Sequence, residues 1–488
     1  MTPLLPAEAF ARFAAGLAGE TRIADLAAGV IGEGIDLPGP FGTRKLIYAD
    51  YIASGRALVQ VERFVMDHIL PYYANSHTEA SFCGALMTGL RREARATIAR
   101  LCGGDDSFAT VFAGSGATAG LNRLVALFGV PEAVQSGRGA VVFIGPYEHH
   151  SNILPWRESG AQVVEIAEAP TGGPDLPGLA AALLAVAPGA LTIGAFSAMS
   201  NVTGIVTDPD PVTRLLKRHG ALAVWDYAGG GPYLAIDMQP GTDIEKDAVV
   251  VSPHKFLGGP GASGILIVRK ATVLRDRPVH PGGGTVRFVS PWAHDYALDL
   301  SVREEAGTPN VIGDIRAALG FLVKAAIGQD FMDSRHAALR QRAVQVWSAN
   351  PRIEIMGNDR ATHRLPVFSL RIRDGRGGMI HQQLFTRMLS DCHGIQARGG
   401  CACAGPYAHR LLGIGAAQSN ALRSEILSGQ ETSKPGWTRL NLSALADDRK
   451  ADFIIGAVDA LAANPHPMID AYRCDGSNAH FMLRNLAA

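Results

Sequence analysis

A chain of 488 residues that is 47% apolar and 18% charged can bury a large core and has the composition of an ordered protein, long enough for one large domain plus a smaller one. Lys plus Arg and Asp plus Glu both number 45, so no net field recruits nucleic acid or an anionic membrane, and a charged ligand must be captured locally. Six cysteines (Cys83, Cys102, Cys392, Cys401, Cys403 and Cys474) are too few for a disulfide framework in a chain this long and read as reduced thiols.

Residues 1–45 read as a helical lead-in followed by the Pro/Gly-rich joint GEGIDLPGPFG. The opening MTPLLPAEAFARF has no basic segment before an apolar one, so a signal peptide is not expected. Residues 46–330 read as a large domain in which apolar runs alternate with helical patterns: FATVFAG, GAVVFIG, AQVVEIA, LTIGAFS, ALAVWDY, DAVVVS and GILIVRK. Near-continuous Val/Ile/Phe runs separated by helices predict a mostly parallel seven-stranded sheet covered on both faces, an α/β fold. The most apolar stretch, Leu179 to Phe196, is broken by Pro188-Gly189 and reads as helix, turn and strand rather than a membrane span. A cytoplasmic protein that binds neither nucleic acid nor membrane is expected.

Unusual residues recur at the predicted strand ends, where ligands of such sheets bind. After FATVFAG, the turn Ser115-Gly116-Ala117-Thr118 opens a helical pattern. Free N–H groups there suit a phosphate, although Gly also serves ordinary strand-to-helix turns. After GAVVFIG comes Glu148-His149-His150-Ser151-Asn152. Its histidines suit either a metal, for which no ligand set accompanies them, or stacking on an aromatic cofactor. Asn201 follows LTIGAFSAMS. Asp226 ends an apolar strand, where a carboxylate either caps a helix or pairs with a cation such as a protonated ring nitrogen. Lys255, in Ser252-Pro253-His254-Lys255, stands among prolines and glycines. It is either a snorkelling lysine or a desolvated amine suited to imine chemistry.

Residues 331–488 change pattern to RIEIMG, PVFSLRI and WTRLNLSAL, interleaved with helices such as HQQLFTRML, and predict a smaller α+β domain. In it, Arg398-Gly399-Gly400-Cys401-Ala402-Cys403-Ala404-Gly405-Pro406 reads as a flexible loop with two thiols near a cation, which favours thiolate.

Taken in order, these segments resemble the class V aminotransferase superfamily of fold type I pyridoxal-5′-phosphate (PLP) enzymes. They are most similar to its group II cysteine desulfurases and selenocysteine lyases, from Ile47 (IYADYIASG) to Arg439. The resemblance implies that Ala117, Thr118, Ser252 and His254 contact the cofactor phosphate and that His149 stacks on its ring. Asn201 would lie near the ring hydroxyl, Asp226 would pair with the ring nitrogen, and Lys255 would carry the cofactor as a Schiff base. Thr308, in EAGTPN, would reach the phosphate of the other subunit of a homodimer. Arg439 would clamp the substrate α-carboxylate, and Arg398 would also bind the substrate; His77, in ANSH, loosely matches an active-site histidine. Cys403 matches the nucleophile of the R-x-G-x-x-C-A-x-P loop. No metal is implied. The implied reaction converts L-cysteine to L-alanine and leaves the sulfur on Cys403 as a persulfide for an acceptor protein.

The sequence departs from that family at three places: Gly229 replaces the glutamine of V-D-G-A-Q, Ala119 replaces an acidic residue, and Cys401-Ala402 precede the nucleophile with a long stretch, Tyr407 to Gly436, behind it. The alternatives are a selenocysteine lyase, another C–S lyase, an epimerase or an aminotransferase, in which Cys403 is structural. A protein of another class, a catalytically inactive sulfur relay, conflicts with the retained Asp226, Lys255 and Arg439.

Overall fold

In the computed structural model, which describes residues 4–76 and 78–484, the seven apolar runs form one sheet. The strands are β1 (Phe108–Gly114), β2 (Ala140–Ile144), β3 (Gln162–Glu165), β4 (Leu191–Ser197), β5 (Leu222–Asp226), β6 (Ala248–Val251) and β7 (Gly264–Arg269). They lie in the order β1-β7-β6-β5-β4-β2-β3. Five of them, β6, β5, β4, β2 and β3, are parallel neighbours. Strand β7 runs against both β6 and β1, so β1 points the same way as the parallel set.

The two faces bury alternate residues of each strand, as a period of two requires. Phe196, Trp225, Val249, Val251 and Ile265 enter one core with the N-terminal Phe10 and Phe13. Ala195, Val224, Val250 and Leu266 enter the other, under Leu121 and Leu124 of the helix Gly116–Leu127. Burial on both faces explains why these runs carry almost no polar residue.

A second, antiparallel sheet is built from β8 (Ile353–Ile355), β9 (Val367–Ile372), β10 (Arg398–Gly400) and β11 (Trp437–Asn441), in the order β8-β9-β11-β10. Its core joins Phe368, Leu370 and Leu440 to Trp347, Phe385 and Ile455 of the covering helices. Strands β8, β9 and β11 are the three runs read from the sequence. The fourth, β10, falls where a flexible loop was expected. Gly-Gly has little strand preference of its own, but the backbones of Gly400 and Gly436 approach so closely that a Cβ on Gly436 would lie 2.6 Å from the Gly400 carbonyl carbon.

The two bodies are joined at the first motif of the chain. Ile47–Tyr48 pairs in parallel with Ile395–Gln396, Ala49 is buried in the second core, and Asn441 N–H donates to the Ala49 carbonyl at 2.8 Å. Among the described residues, no helix is long and apolar enough to cross a membrane, and the six cysteines are free thiols.

Candidate active site

Because β1, β2, β4, β5 and β6 point the same way, the loops that follow them open on one edge of the sheet. These loops carry Ala117 and Thr118, His149, Asn201, Asp226 (the last residue of β5), and Ser252, His254 and Lys255. The second sheet brings Arg398, Cys403 and Arg439 to the same edge, and all of these residues line one cavity of about 230 Å³. Thr308 is exposed and is not part of this lining. His77 lies outside the described residues.

One corner suits an anion. Gly116 has φ +61°, and a Cβ there would sit 2.9 Å from Ser252 Oγ and 3.2 Å from His254 Cε1, so the turn closes onto the lysine loop only with glycine. Ala117 N–H donates to Ser252 Oγ at 2.9 Å, and Thr118 Oγ1 lies 2.7 Å from Ser151 Oγ. The positive end of the helix Gly116–Leu127 faces this corner. Burial, helped by the Lys255 charge, lowers the pKa of His254.

The middle of the cavity holds the titrating groups. Asp226 is buried and accepts one backbone bond, from Ala228 N–H at 2.7 Å. Burial raises its pKa, opposed by that bond and by Lys255. Burial pulls Lys255 down to about 8, with Asp226 opposing and Arg439 and Arg398 assisting. Burial and the Lys255 charge hold His149 down to about 4. The Ser151 N–H donates to His149 Nδ1 at 3.1 Å, which assigns the proton of the neutral ring to Nε2. Glu148 is buried beside this group, accepting from Ser197 N–H (2.8 Å), Ser197 Oγ (2.5 Å) and Asn152 Nδ2 (2.6 Å), and burial raises it to about 7. At Gly229, where the resemblance leads one to expect glutamine, an added Cβ would lie 3.3 Å from Met199 Cε.

The third corner is cationic. Arg398 and Arg439 are direct partners across β10 and β11. Asp50 sits between them, accepting from Arg439 Nη2 at 2.9 Å and Arg398 Nε at 3.0 Å. Arg439 Nη1 donates to the Asn201 carbonyl at 3.1 Å. Two buried polar atoms of this corner, Asn201 Oδ1 and Arg439 Nε, have no hydrogen-bond partner among the described residues.

Cys403 is exposed and Cys401 half-buried. Their loop is held rather than free: Asn201 Nδ2 donates to the Ala402 carbonyl at 2.8 Å, and His150 N–H donates to the Cys403 carbonyl at 2.9 Å. Behind it, the stretch from Tyr407 to Gly436 completes the helix Gly405–Leu412 and forms the helix Ala416–Leu427, which buries none of its residues. Asp50, Ser151 and Glu148 also belong to the site, with roles that sequence reasoning does not supply. Only Glu148 has a local signal, a carboxylate in the short loop that follows the apolar strand ending at Ile144. Among the described residues, no group of three or more His, Cys, Asp or Glu is placed to hold a metal.

Comparison with known proteins points the same way. The family model Aminotransferase class-V matches residues 47–422. A protein of Vibrio cholerae named "Probable cysteine desulfurase" is 31% identical over 369 residues, 74% of this chain and 85% of its own. One of the same name from Halalkalibacterium halodurans is 28% identical over 367 residues, 74% of this chain and 84% of its own. Among solved structures, the apo cysteine desulfurase of Thermococcus onnurineus superposes with TM-score 0.71 at 22% identity, covering 86% of this chain and 94% of that one. The cysteine desulfurase CsdA of Escherichia coli gives 0.69 at 21% identity, covering 90% and 98%. At those identities the structures establish the fold.

Proposed function

The chain belongs to the aminotransferase class-V family, a family of pyridoxal-phosphate enzymes, and on that basis we propose that it is a cysteine desulfurase, releasing alanine from L-cysteine and keeping the sulfur on Cys403. The observation that carries this reading is that an exposed cysteine, Cys403, lines the same cavity as Lys255, Asp226 and Arg439.

The residues fit the cofactor. The Ser115–Thr118 turn, Ser252 and His254 would hold its phosphate, and His149 would lie against its ring. Asp226 is a buried carboxylate with a single N–H donor; a protonated ring nitrogen is the partner that would relieve its desolvation. Lys255 would bond the aldehyde carbon, and Asn201 Oδ1 is an acceptor without a donor. Bound there, pyridoxal phosphate supplies an electron sink for charge developing on the substrate α-carbon.

Around it, each protein group has a separate task. Arg439, with Arg398 behind Asp50, binds and orients the substrate carboxylate, for which a planar guanidinium is suited. Lys255, partly neutral near pH 8, takes the proton from the α-carbon. His149, neutral with its proton on Nε2, would relay a proton by accepting one at Nδ1 as it gives that one up. Cys403 Sγ attacks the substrate sulfur; the bond from that sulfur to the β-carbon breaks, its electron pair stays with carbon, a proton completes the methyl group, and Lys255 returns a proton to the α-carbon to give alanine. The persulfide then passes to an acceptor protein.

We place Thr308 at the cofactor phosphate of a second subunit, a reading supported by its exposure outside its own cavity, and the boundary between the two domains after residue 330, in the first turn of the helix Gln329–Trp347. The test is to incubate cofactor-loaded protein with L-cysteine and identify the products. Equimolar alanine and sulfide, released with a reductant, are expected. Pyruvate or an epimerised amino acid would overturn the reading.

A further inference from the structure

The loop that carries Cys403 has a backbone that needs holding. Ala402 and Cys403 both have φ +56°, left-handed values that a residue with a Cβ adopts at a cost of order 1 kcal/mol each. Two such residues in succession persist only where neighbours fix them. Besides the Asn201 bond to the Ala402 carbonyl, the neighbour is His150, which holds the loop at two points. Its backbone N–H donates to the Cys403 carbonyl at 2.9 Å, and its ring Nε2 accepts from Gly405 N–H at 2.9 Å. The fit is tight: a Cβ on Gly405 would stand 3.0 Å from that same Nε2, so the imidazole would have to give way.

We infer that His150 is a positioning residue that clasps the cysteine loop and fixes where Cys403 Sγ stands; the inference rests on the reading of Cys403 as sulfur acceptor. His150 is not among the residues lining the cavity, so it acts through the loop. Accepting at Nε2 requires the neutral ring with its proton on Nδ1, and burial, with the Arg157 charge, lowers the His150 pKa accordingly. The clasp has a rigid base. His150 opens the short turn His150–Asn152, and Asn152, fully buried, ties that turn to the Ala195 carbonyl of β4 at 3.1 Å and to Glu148 at 2.6 Å. Cys403 is thereby referenced to the same sheet that places Asp226 and Lys255, although it arrives from the second sheet.

The test uses cofactor-loaded protein and two replacements at one position. His150→Phe keeps a ring without an acceptor; His150→Gln keeps an acceptor without a ring. Iodoacetamide labelling is followed by peptide mapping, so that Cys403 is distinguished from Cys401. In His150→Phe, Cys403 is expected to label roughly fivefold faster or more, as for a loop released from local structure. Sulfur release should fall roughly tenfold or more while the KM for L-cysteine stays within about twofold. His150→Gln should restore both towards wild type. Gly405→Ala, which presses on the imidazole from the other side, should also speed labelling and serves if His150→Phe does not fold. Unchanged Cys403 labelling in His150→Phe and Gly405→Ala overturns the clasp, as does a His150→Gln protein as impaired as His150→Phe. Faster labelling with unchanged sulfur release upholds the clasp and instead overturns Cys403 as the sulfur acceptor.

Discussion

Asp50 and Arg439 are 389 residues apart in sequence and joined at 2.9 Å through Oδ1 and Nη2. The other oxygen of the same carboxylate holds Arg398, so one buried anion separates two cations that face each other across antiparallel strands. Like charges directly opposite destabilise a strand pair, and Asp50 removes that repulsion while orienting Arg439, whose side chain is only 4% exposed. Asp50→Asn keeps the shape and one acceptor but loses the charge. It is expected to raise the KM for L-cysteine about tenfold, roughly 1.4 kcal/mol of binding, with a smaller change in kcat. Steady-state kinetics decide; an unchanged or lower KM would show that the carboxylate does not set the clamp.

Lys255 should reveal itself by pH. Burial holds it down to about 8, against about 10.4 for an exposed lysine. The rate at which cofactor-free protein captures pyridoxal phosphate should therefore rise through pH 8, as the amine loses its proton, and level off above about pH 9. Asp226 stabilises the protonated amine, so Asp226→Asn should move the midpoint lower. A midpoint near 10 would mean that the amine is not desolvated. Borohydride treatment of the loaded protein should fix the cofactor on the Lys255 peptide, and Lys255→Ala should abolish turnover.

Asp226→Asn is expected to retain the cofactor, since the phosphate corner is untouched, yet to lose tenfold or more in kcat, at least about 1.4 kcal/mol of barrier. A neutral amide cannot balance a pyridinium charge. Absorbance of bound cofactor together with turnover checks this, and near-normal turnover would remove Asp226 from the ring nitrogen.

Cys403→Ser should leave the spectral response to L-cysteine intact, because Lys255, Asp226 and Arg439 are unchanged, while sulfur release falls by orders of magnitude. Serine cannot accept sulfur as a persulfide. Cys401→Ser should have the milder effect, since Cys401 is half-buried and does not line the cavity. Mass spectrometry of wild-type protein after L-cysteine should find one extra sulfur on the Cys403 peptide. Cys403→Ser protein that works at the wild-type rate would favour a different reaction in the same family.

The large sheet was legible in the sequence because its causes are local. Strands buried on both faces must be apolar at every position, so the seven runs announced themselves, and a charged residue such as Asp226 or Lys255 at the end of one stands out by its desolvation cost. The turn at Ser115–Thr118 was legible as a strand-to-helix junction for the same reason, since Gly116 answers a backbone requirement read within four residues. Tertiary structure decided the rest. Strand β10 exists because β11 lies beside Gly399 and Gly400, not because glycine prefers a strand. Nothing near Asp50 in the sequence indicates two arginines 348 and 389 residues away. The loop expected to be flexible is held through His150, and nothing in the sequence around His150 indicates that contact. Contacts of this kind depend on which strand ends meet at one edge, and spacing along the chain carries no record of that.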